Sequence, residues 1–438
     1  MREELLASAE DAVRLAKEAG ADEVFASTSR TREVEFTVRD ATLEKVKDAT
    51  SKSLSLRLYV DDRFSRHSTT DLRPEQVKAF VAEAIALTRA LEPDPHRKIT
   101  DPALYEGRAE VDLELVDAGI PALTREERLA LCEAQNALLA GKDKVVSATS
   151  GCSDGTTVSA AASSNGFRGI HEETWLWIGS EVTLRDEGDK RPEAWMWAGA
   201  ANRADVPAPE EVARIALERA HQRLGSTKGP TSRTTMVVDP SAAPRLVSRL
   251  LAPADGGQVQ QGQSFYAGRK GQKVVSELLT VVDDPLVPRG LGSRLYDGEG
   301  IAAKRLPIIE AGVLQNLYVD TYYGRKLGWA PTTGSPSNRL LGLGDQGLEA
   351  LLAAADGGVY VTSWLGGNAD STTGDFSFGI RGHLIEGGQI GSPVGEMNIT
   401  GNLVDLFSKL VALGNDPWPY SSIRAPTLVF EDVQFSGT

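Results

Sequence analysis

Chemistry could reside at four places in this sequence. Gly151-Cys152-Ser153-Asp154-Gly155 matches G-x-S-x-G, Gly342-Leu343-Gly344-Asp345-Gln346-Gly347 matches G-x-G-x-x-G, His171-Glu172 opens like a zinc helix, and Asp283-Asp284 sets two carboxylates side by side. A nucleophile elbow needs a sharp strand-to-helix turn that exposes the serine. Thr156 to Ala160 continues as a strand, so this run reads as a polar turn between strands. Cys152 has no basic neighbour in sequence that would turn it into a reactive thiolate. The second run would hold a pyrophosphate only between a strand and a helix N-terminus. A short helix from Leu348 to Ala355 is available, but Ser335 to Arg339 does not read as a strand, so a loop is expected. An H-E-x-x-H zinc helix needs a second imidazole one turn on, and that position is Trp175. His171 is therefore expected on a strand. Neighbouring carboxylates on an extended chain point to opposite sides, so Asp283-Asp284-Pro285 reads as a turn after a strand at 278–282. His383 stands alone as a candidate ligand contact, and His67, His96 and His221 lie far apart. No local constellation supplies a catalytic residue.

Composition narrows the class. The chain has 438 residues, with 47 Lys and Arg against 61 Asp and Glu, a net charge of −14. No Lys/Arg cluster gives the electrostatic footprint of a nucleic-acid or anionic-membrane binder. Two cysteines, Cys132 and Cys152, are too few for a disulfide framework and point to a reducing compartment. The first twenty residues read as an amphipathic helix without an apolar signal core, and no later run reaches about 18 apolar residues. The expected location is the cytoplasm.

The elements that must position these residues follow from periodicity. Leu5, Ala9, Ala12, Val13 and Ala16 predict a first helix, stopped near Gly20. From Val24 to Val60 alternating apolar residues, broken at Arg39-Asp40 and Asp61-Asp62, predict about four strands. Pro74 opens a second helix. After a connector over 93–123, Thr124 and Glu127 form a capping box ahead of a third helix. Strands from Val145 to about Gly199 and a helix opening at Pro209-Glu210-Glu211 repeat the order. The expected fold class is α+β, with a duplicated helix-strands-helix N-terminal region in units 1–92 and 124–228. A β-rich C-terminal domain follows over 229–438, interrupted by a helix from Leu403 to Leu413.

The C-terminal third carries an ordered set of segments. These are Thr373-Gly374-Asp375-Phe376-Ser377-Phe378-Gly379, Leu384-Ile385-Glu386-Gly387-Gly388-Gln389-Ile390, Pro393-Val394, Ile399-Thr400-Gly401-Asn402-Leu403 and Leu413-Gly414-Asn415-Asp416. Together with Ser164-Asn165-Gly166-Phe167 and Val281-Val282-Asp283-Asp284-Pro285, they resemble the TldD/PmbA (TldE) family of bacterial and archaeal peptidases. The resemblance implies a two-part α+β architecture and a heterodimer that degrades or trims unfolded peptides. In that family one subunit binds zinc through H-E-x-x-x-H on a helix and a cysteine near its C-terminus, and the zinc activates water. The matching helix here, along Arg245-Leu246-Val247-Ser248-Arg249-Leu250-Leu251, has no His or Glu. Pro417 to Ser422 has no cysteine. The resemblance thus implies the PmbA/TldE-type subunit, with no metal or cofactor of its own, zinc in a TldD-like partner, and an extended peptide as the shared ligand. Asp375, Phe376, Ser377 and His383 are the candidates to line or brace the peptide cleft. Two other readings stay open at this level: an autonomous peptidase whose His and carboxylates converge in space, and a chaperone-like peptide holder without a protease partner.

Overall fold

A computed structural model describes residues 1–438. The N-terminal half runs α1 (Arg2–Glu18), β1 (Glu23–Arg39), β2 (Thr42–Val60), β3 (Arg63–Thr69), α2 (Pro74–Arg89), α3 (Arg125–Ala137), β4 (Val145–Ser163), β5 (Arg168–Leu184), β6 (Glu193–Ala200) and α4 (Pro209–His221). Its six strands form one antiparallel sheet in the order β3-β2-β1-β4-β5-β6. The central β1–β4 pair joins the two halves of the sheet.

The stretch 24–60 holds two long strands rather than four. Ser27 to Arg32 carries no apolar alternation, yet the ladder continues because Ser29 and Ser53 share a hydrogen bond at 2.8 Å and Thr31 and Thr157 share one at 2.9 Å. The breaks seen in sequence are the hairpin tips. Asp40-Ala41 and Asp61-Asp62 all have positive φ, 47° to 63°, as a two-residue loop that follows the strand twist requires.

Even-numbered positions of β1 face four helices. Val24 and Ala26 pack with α1 and α2, while Val34, Phe36 and Val38 pack with residues of α3 and α4 such as Cys132 and Val212. The capping box at Thr124 and Glu127 starts α3, with the Glu127 N–H donating to Thr124 Oγ1 at 3.1 Å and the Thr124 N–H to Glu127 Oε2 at 2.7 Å. On the opposite face of β5 and β6, Trp175, Trp177 and Trp197 lie across glycines. A Cβ on Gly179 would stand 2.0 Å from the Trp197 ring, one on Gly199 2.1 Å from Trp177, and one on Gly155 2.2 Å from Trp175. The 151–155 run is therefore no turn: it lies inside β4, paired on both sides, and its glycines leave room for indoles.

The C-terminal half continues with β7 (Thr227–Lys228), β8 (Ser232–Val238), α5 (Ala243–Leu251), α6 (Gly256–Gln260), β9 (Val281–Asp284), β10 (Leu306–Glu310), β11 (Val313–Leu314) and α7 (Thr321–Leu327). Then come β12 (Asn338–Leu341), α8 (Leu348–Ala354), β13 (Val359–Ala369), β14 (Asp375–Glu386), β15 (Gln389–Asn402), α9 (Leu403–Ser408), β16 (Leu410–Leu413), β17 (Ile423–Arg424) and β18 (Leu428–Ser436). A seven-stranded sheet, β16-β18-β8-β13-β14-β15-β7, curls so that β18 also pairs with β15. A five-stranded sheet, β11-β10-β9-β12-β17, packs beside it around the largest apolar core.

Three expectations change here. The helix at 403–413 ends at Ser408, because β18 offers Leu410 to Leu413 a strand partner, with Leu410 opposite Phe430. The apolar spacing at 403, 406, 407 and 410 suits either arrangement, and the free edge of β18 decides. Asp283-Asp284 is the end of β9 and not a turn. Asp283 is buried and accepts hydrogen bonds from the Tyr318 hydroxyl at 2.9 Å and the Ser337 N–H at 2.7 Å. Asn338 to Leu341 is a strand, so the 342–347 loop does run from strand to helix. Its Gly344 packs against the Leu413 carbonyl, where a Cβ would stand 1.9 Å away, which accounts for that glycine without a ligand.

Candidate functional site

The edge strand β6 and helix α4 of the N-terminal half meet the β8–α5 connection, α5, β13 and β14 of the C-terminal half around a cleft of about 470 Å³. That volume is in the range of small-ligand sites. Arg219 is on the last turn of α4 and Arg223 in the turn that follows its C-terminus, and both line the same cleft. Arg219 donates to the Trp195 carbonyl at 3.3 Å and to Ser241 Oγ at 3.2 Å. Arg223 donates to the Glu193 carbonyl and, at 3.2 Å, to Ser363 Oγ. Both cap outward carbonyls of β6, an edge that would otherwise be open to pairing.

Indoles form much of the wall. Trp195 and Trp197 are each 43% exposed, and the Trp364 Nε1–H donates to the Ala242 carbonyl at 2.9 Å. Arg219 lies 5.9 Å from the Trp418 ring centre and Arg223 5.7 Å from that of Trp195. Tyr360 donates its hydroxyl to Asp239, whose other oxygen accepts the Ser241 N–H at 2.8 Å. Burial, with Asp239 beside it, pushes the Tyr360 phenol well up.

His383, on β14, is 3% exposed and lines this cleft. Its Nε2 is 3.0 Å from the Gln222 carbonyl, which can only accept, so Nε2 carries the proton and Nδ1 holds the lone pair. Nδ1 is buried and has no partner. Burial and then the charge of Arg223 lower the imidazole below its ordinary value, so it is neutral. Burial first, then Arg381 and Arg219, bring the Arg223 guanidinium down to about 10, still charged at neutral pH.

The other sequence candidates sit elsewhere. Asp375, Phe376 and Ser377 start β14, about 20–26 Å along the strand from His383 at about 3.3 Å per residue. Asp375 accepts from Thr373 Oγ1 and Asn402 Nδ2 in a turn, Phe376 is buried and stacked on Phe378 at 5.0 Å, and Ser377 is exposed. The fold does not bring these three to His383. His171 is a β5 side chain 3.4 Å from Glu173. Cys132 and Cys152 are buried, and burial pushes the Cys132 thiol up to about 12 and that of Cys152 higher still. The missed cleft residues left one legible trace: the alternating Trp175-Leu176-Trp177 and Trp195-Met196-Trp197 triplets, which put indoles on one sheet face.

The helix expected to match the metal site is α5. It buries Leu246, Val247, Leu250 and Leu251 and turns Arg245 toward the cleft. Guanidinium and aliphatic groups cannot ligate zinc, and no group of three or more His, Cys, Asp or Glu side chains is placed to hold a metal ion. The residues do not fit that metal. Family models of the PmbA/TldA metallopeptidase match the chain in three parts: domain 1 over residues 23–88, the central domain over 119–224 and the C-terminal domain over 231–437.

The chain belongs to the PmbA/TldD metallopeptidase family.

Among its family relatives, the metalloprotease PmbA of Escherichia coli O157:H7 is 28% identical over 94% of this chain and 91% of that protein. A PmbA homolog of Haemophilus influenzae is 27% identical over 99% and 96%. A crystal structure from Bacteroides thetaiotaomicron, described as that of a candidate modulator of DNA gyrase, superposes with a TM-score of 0.96 at 36% identity, covering 99% of this chain and 98% of that one. TldE from Thermococcus kodakarensis shares the fold, with a TM-score of 0.87 at 20% identity over 98% of this chain and all of that one.

Proposed function

We propose that this chain is the non-metal subunit of a TldD/TldE-type heterodimeric zinc protease of the cytoplasm. It holds an extended or unfolded peptide while a partner subunit hydrolyses it. The observation that carries this reading is α5: where the family resemblance places the metal-binding helix, this chain presents Arg245 and aliphatic residues beside a preformed cleft. A guanidinium cannot bind zinc or activate water, but it binds carboxylates and carbonyl oxygens well. Two strand-rich halves meeting at a cleft suit an extended substrate, because backbone hydrogen bonds do not depend on side-chain sequence. The net charge of −14 speaks against a nucleic-acid role. We also read the two helix-strands-helix units, 1–92 and 124–228, as copies of one ancestral unit, since each supplies three adjacent strands to one sheet.

The test is zinc analysis and a peptidase assay on the chain alone and on its mixture with an H-E-x-x-x-H relative from the same cell. The expected result is no stoichiometric zinc and no cleavage alone, with cleavage in the mixture that a chelator abolishes. A full equivalent of zinc and chelator-sensitive cleavage by the isolated chain would overturn the proposal.

A further inference from the structure

Three guanidinium groups line this cleft. What sets them apart is that Arg219, Arg223 and Arg245 converge on one cleft of a chain in which acidic residues outnumber basic ones, 61 to 47, and that none of the three forms an ion pair. The cleft continues past Arg223 and Thr362 into a second pocket of about 350 Å³ of mixed charge, lined by Lys190, Lys228 and Arg381 and by Asp186, Glu193 and Glu396. The two acids in the first cleft are engaged elsewhere. Asp239 serves Tyr360 and Ser241, and Glu218 pairs with Arg214 at 2.7 Å. Glu193 acts on Arg223 only through space. Arg219 and Arg223 spend some of their N–H groups on neutral oxygens, which fixes their orientation; Ser241 Oγ links Arg219 to Asp239, and that one carboxylate faces three guanidinium groups, so the cleft keeps an excess of positive charge. Half-buried positive charge without a counter-ion costs free energy that a bound anion recovers. Beside it, the unpartnered Nδ1 of His383 offers a buried acceptor.

We infer that this cleft is a subsite for a peptide carboxylate: Arg219, Arg223 and Arg245 hold the carboxylate, His383 Nδ1 accepts a neighbouring backbone N–H, and Trp195, Trp364 and Trp418 enclose the adjacent side chains. The inference rests on the reading that the chain holds peptide, and names the chemical group it selects. A chain end fits the volume. A nucleic-acid strand needs a longer track of charge on an open surface, which a chain of −14 does not offer.

The experiment measures binding of a short, flexible, fluorescein-labelled peptide ending in Phe to the full chain, alone and with the H-E-x-x-x-H relative. The peptide is offered as the free acid, as the C-terminal amide, and as the amide with one internal Asp. The carboxylate forms should bind at least about tenfold tighter than the plain amide, as charge-assisted hydrogen bonds give, and the preference should shrink with ionic strength. Comparing the free acid with the Asp-containing amide identifies the source of the carboxylate. R219Q with R223Q should abolish the preference. R245Q, at an exposed side chain without hydrogen bonds, should reduce it with the folded state unchanged by circular dichroism. Equal binding of acid and plain amide overturns the carboxylate subsite and leaves the peptide-holding reading standing. Absence of binding by every peptide, with and without the partner, overturns both. Displacement of peptide by a single-stranded oligonucleotide at lower concentration than by free acid overturns the inference in favour of phosphate.

Discussion

The firmest energetic prediction concerns the ion pair that pins α3 to the central sheet. Arg128 on α3 and Asp154 on β4 are 4% and 2% exposed at their side chains. The pairing is bidentate, with Nε to Oδ2 at 2.5 Å and Nη2 to Oδ1 at 2.7 Å, and Arg128 Nη1 also donates to the Leu123 carbonyl. Removing one partner strands a buried charge, at a cost of about 3–5 kcal/mol. D154A leaves a guanidinium that cannot shed its proton, with one acceptor remaining. R128M leaves Asp154 with no donor, but a carboxylate can neutralise itself. In R128M the folded-state carboxyl is therefore raised above its unfolded value, and stability is lost as pH rises through that interval. R128M should approach wild type in mild acid, while D154A should not. The double variant R128M/D154L should cost about 1 kcal/mol or less, giving a coupling energy of at least about 2 kcal/mol. Urea unfolding followed by tryptophan fluorescence reads this directly, since four of the seven tryptophans lie on β5 and β6. Single variants costing under about 1 kcal/mol, or a double variant costing the sum of the singles, would refute the reasoning.

Three further predictions concern the cleft wall and its surroundings. His383 is held neutral below its ordinary value, so the unfolded chain binds the proton first and stability falls as pH drops below about 6.5. H383Q should flatten that part of the stability profile, and an unchanged profile would show that other groups set it. G179A forces a methyl into the Trp197 ring and should cost about 1–3 kcal/mol with altered indole fluorescence, whereas wild-type stability and spectrum would mean the ring moves freely. Cys132 and Cys152 should resist a thiol-specific aromatic disulfide in the folded chain and react fully in denaturant; rapid labelling of the native protein would contradict their burial.

What the sequence determined by itself was local or ordered along the chain. The Thr124–Glu127 capping box, the proline-led helix starts and the hairpin breaks at Asp40 and Asp61 depend on neighbouring residues, and they stand where the pattern put them. The family was legible as well, because its segments recur in a fixed order. Other features depended on partners far away in sequence. Leu410 to Leu413 left the helix because β18 lay free beside it, and Gly151 to Gly155 became strand because β1 and β5 flank it. The cleft belongs to the same class. Trp195, Arg245, Trp364 and His383 come from four elements and Arg223 from the turn after α4, and only the meeting of the two halves places them together. Charge balance follows suit: a sequence total of −14 conceals a cavity lined with unpaired guanidinium groups, since pairing is decided by distances of a few ångströms and not by composition.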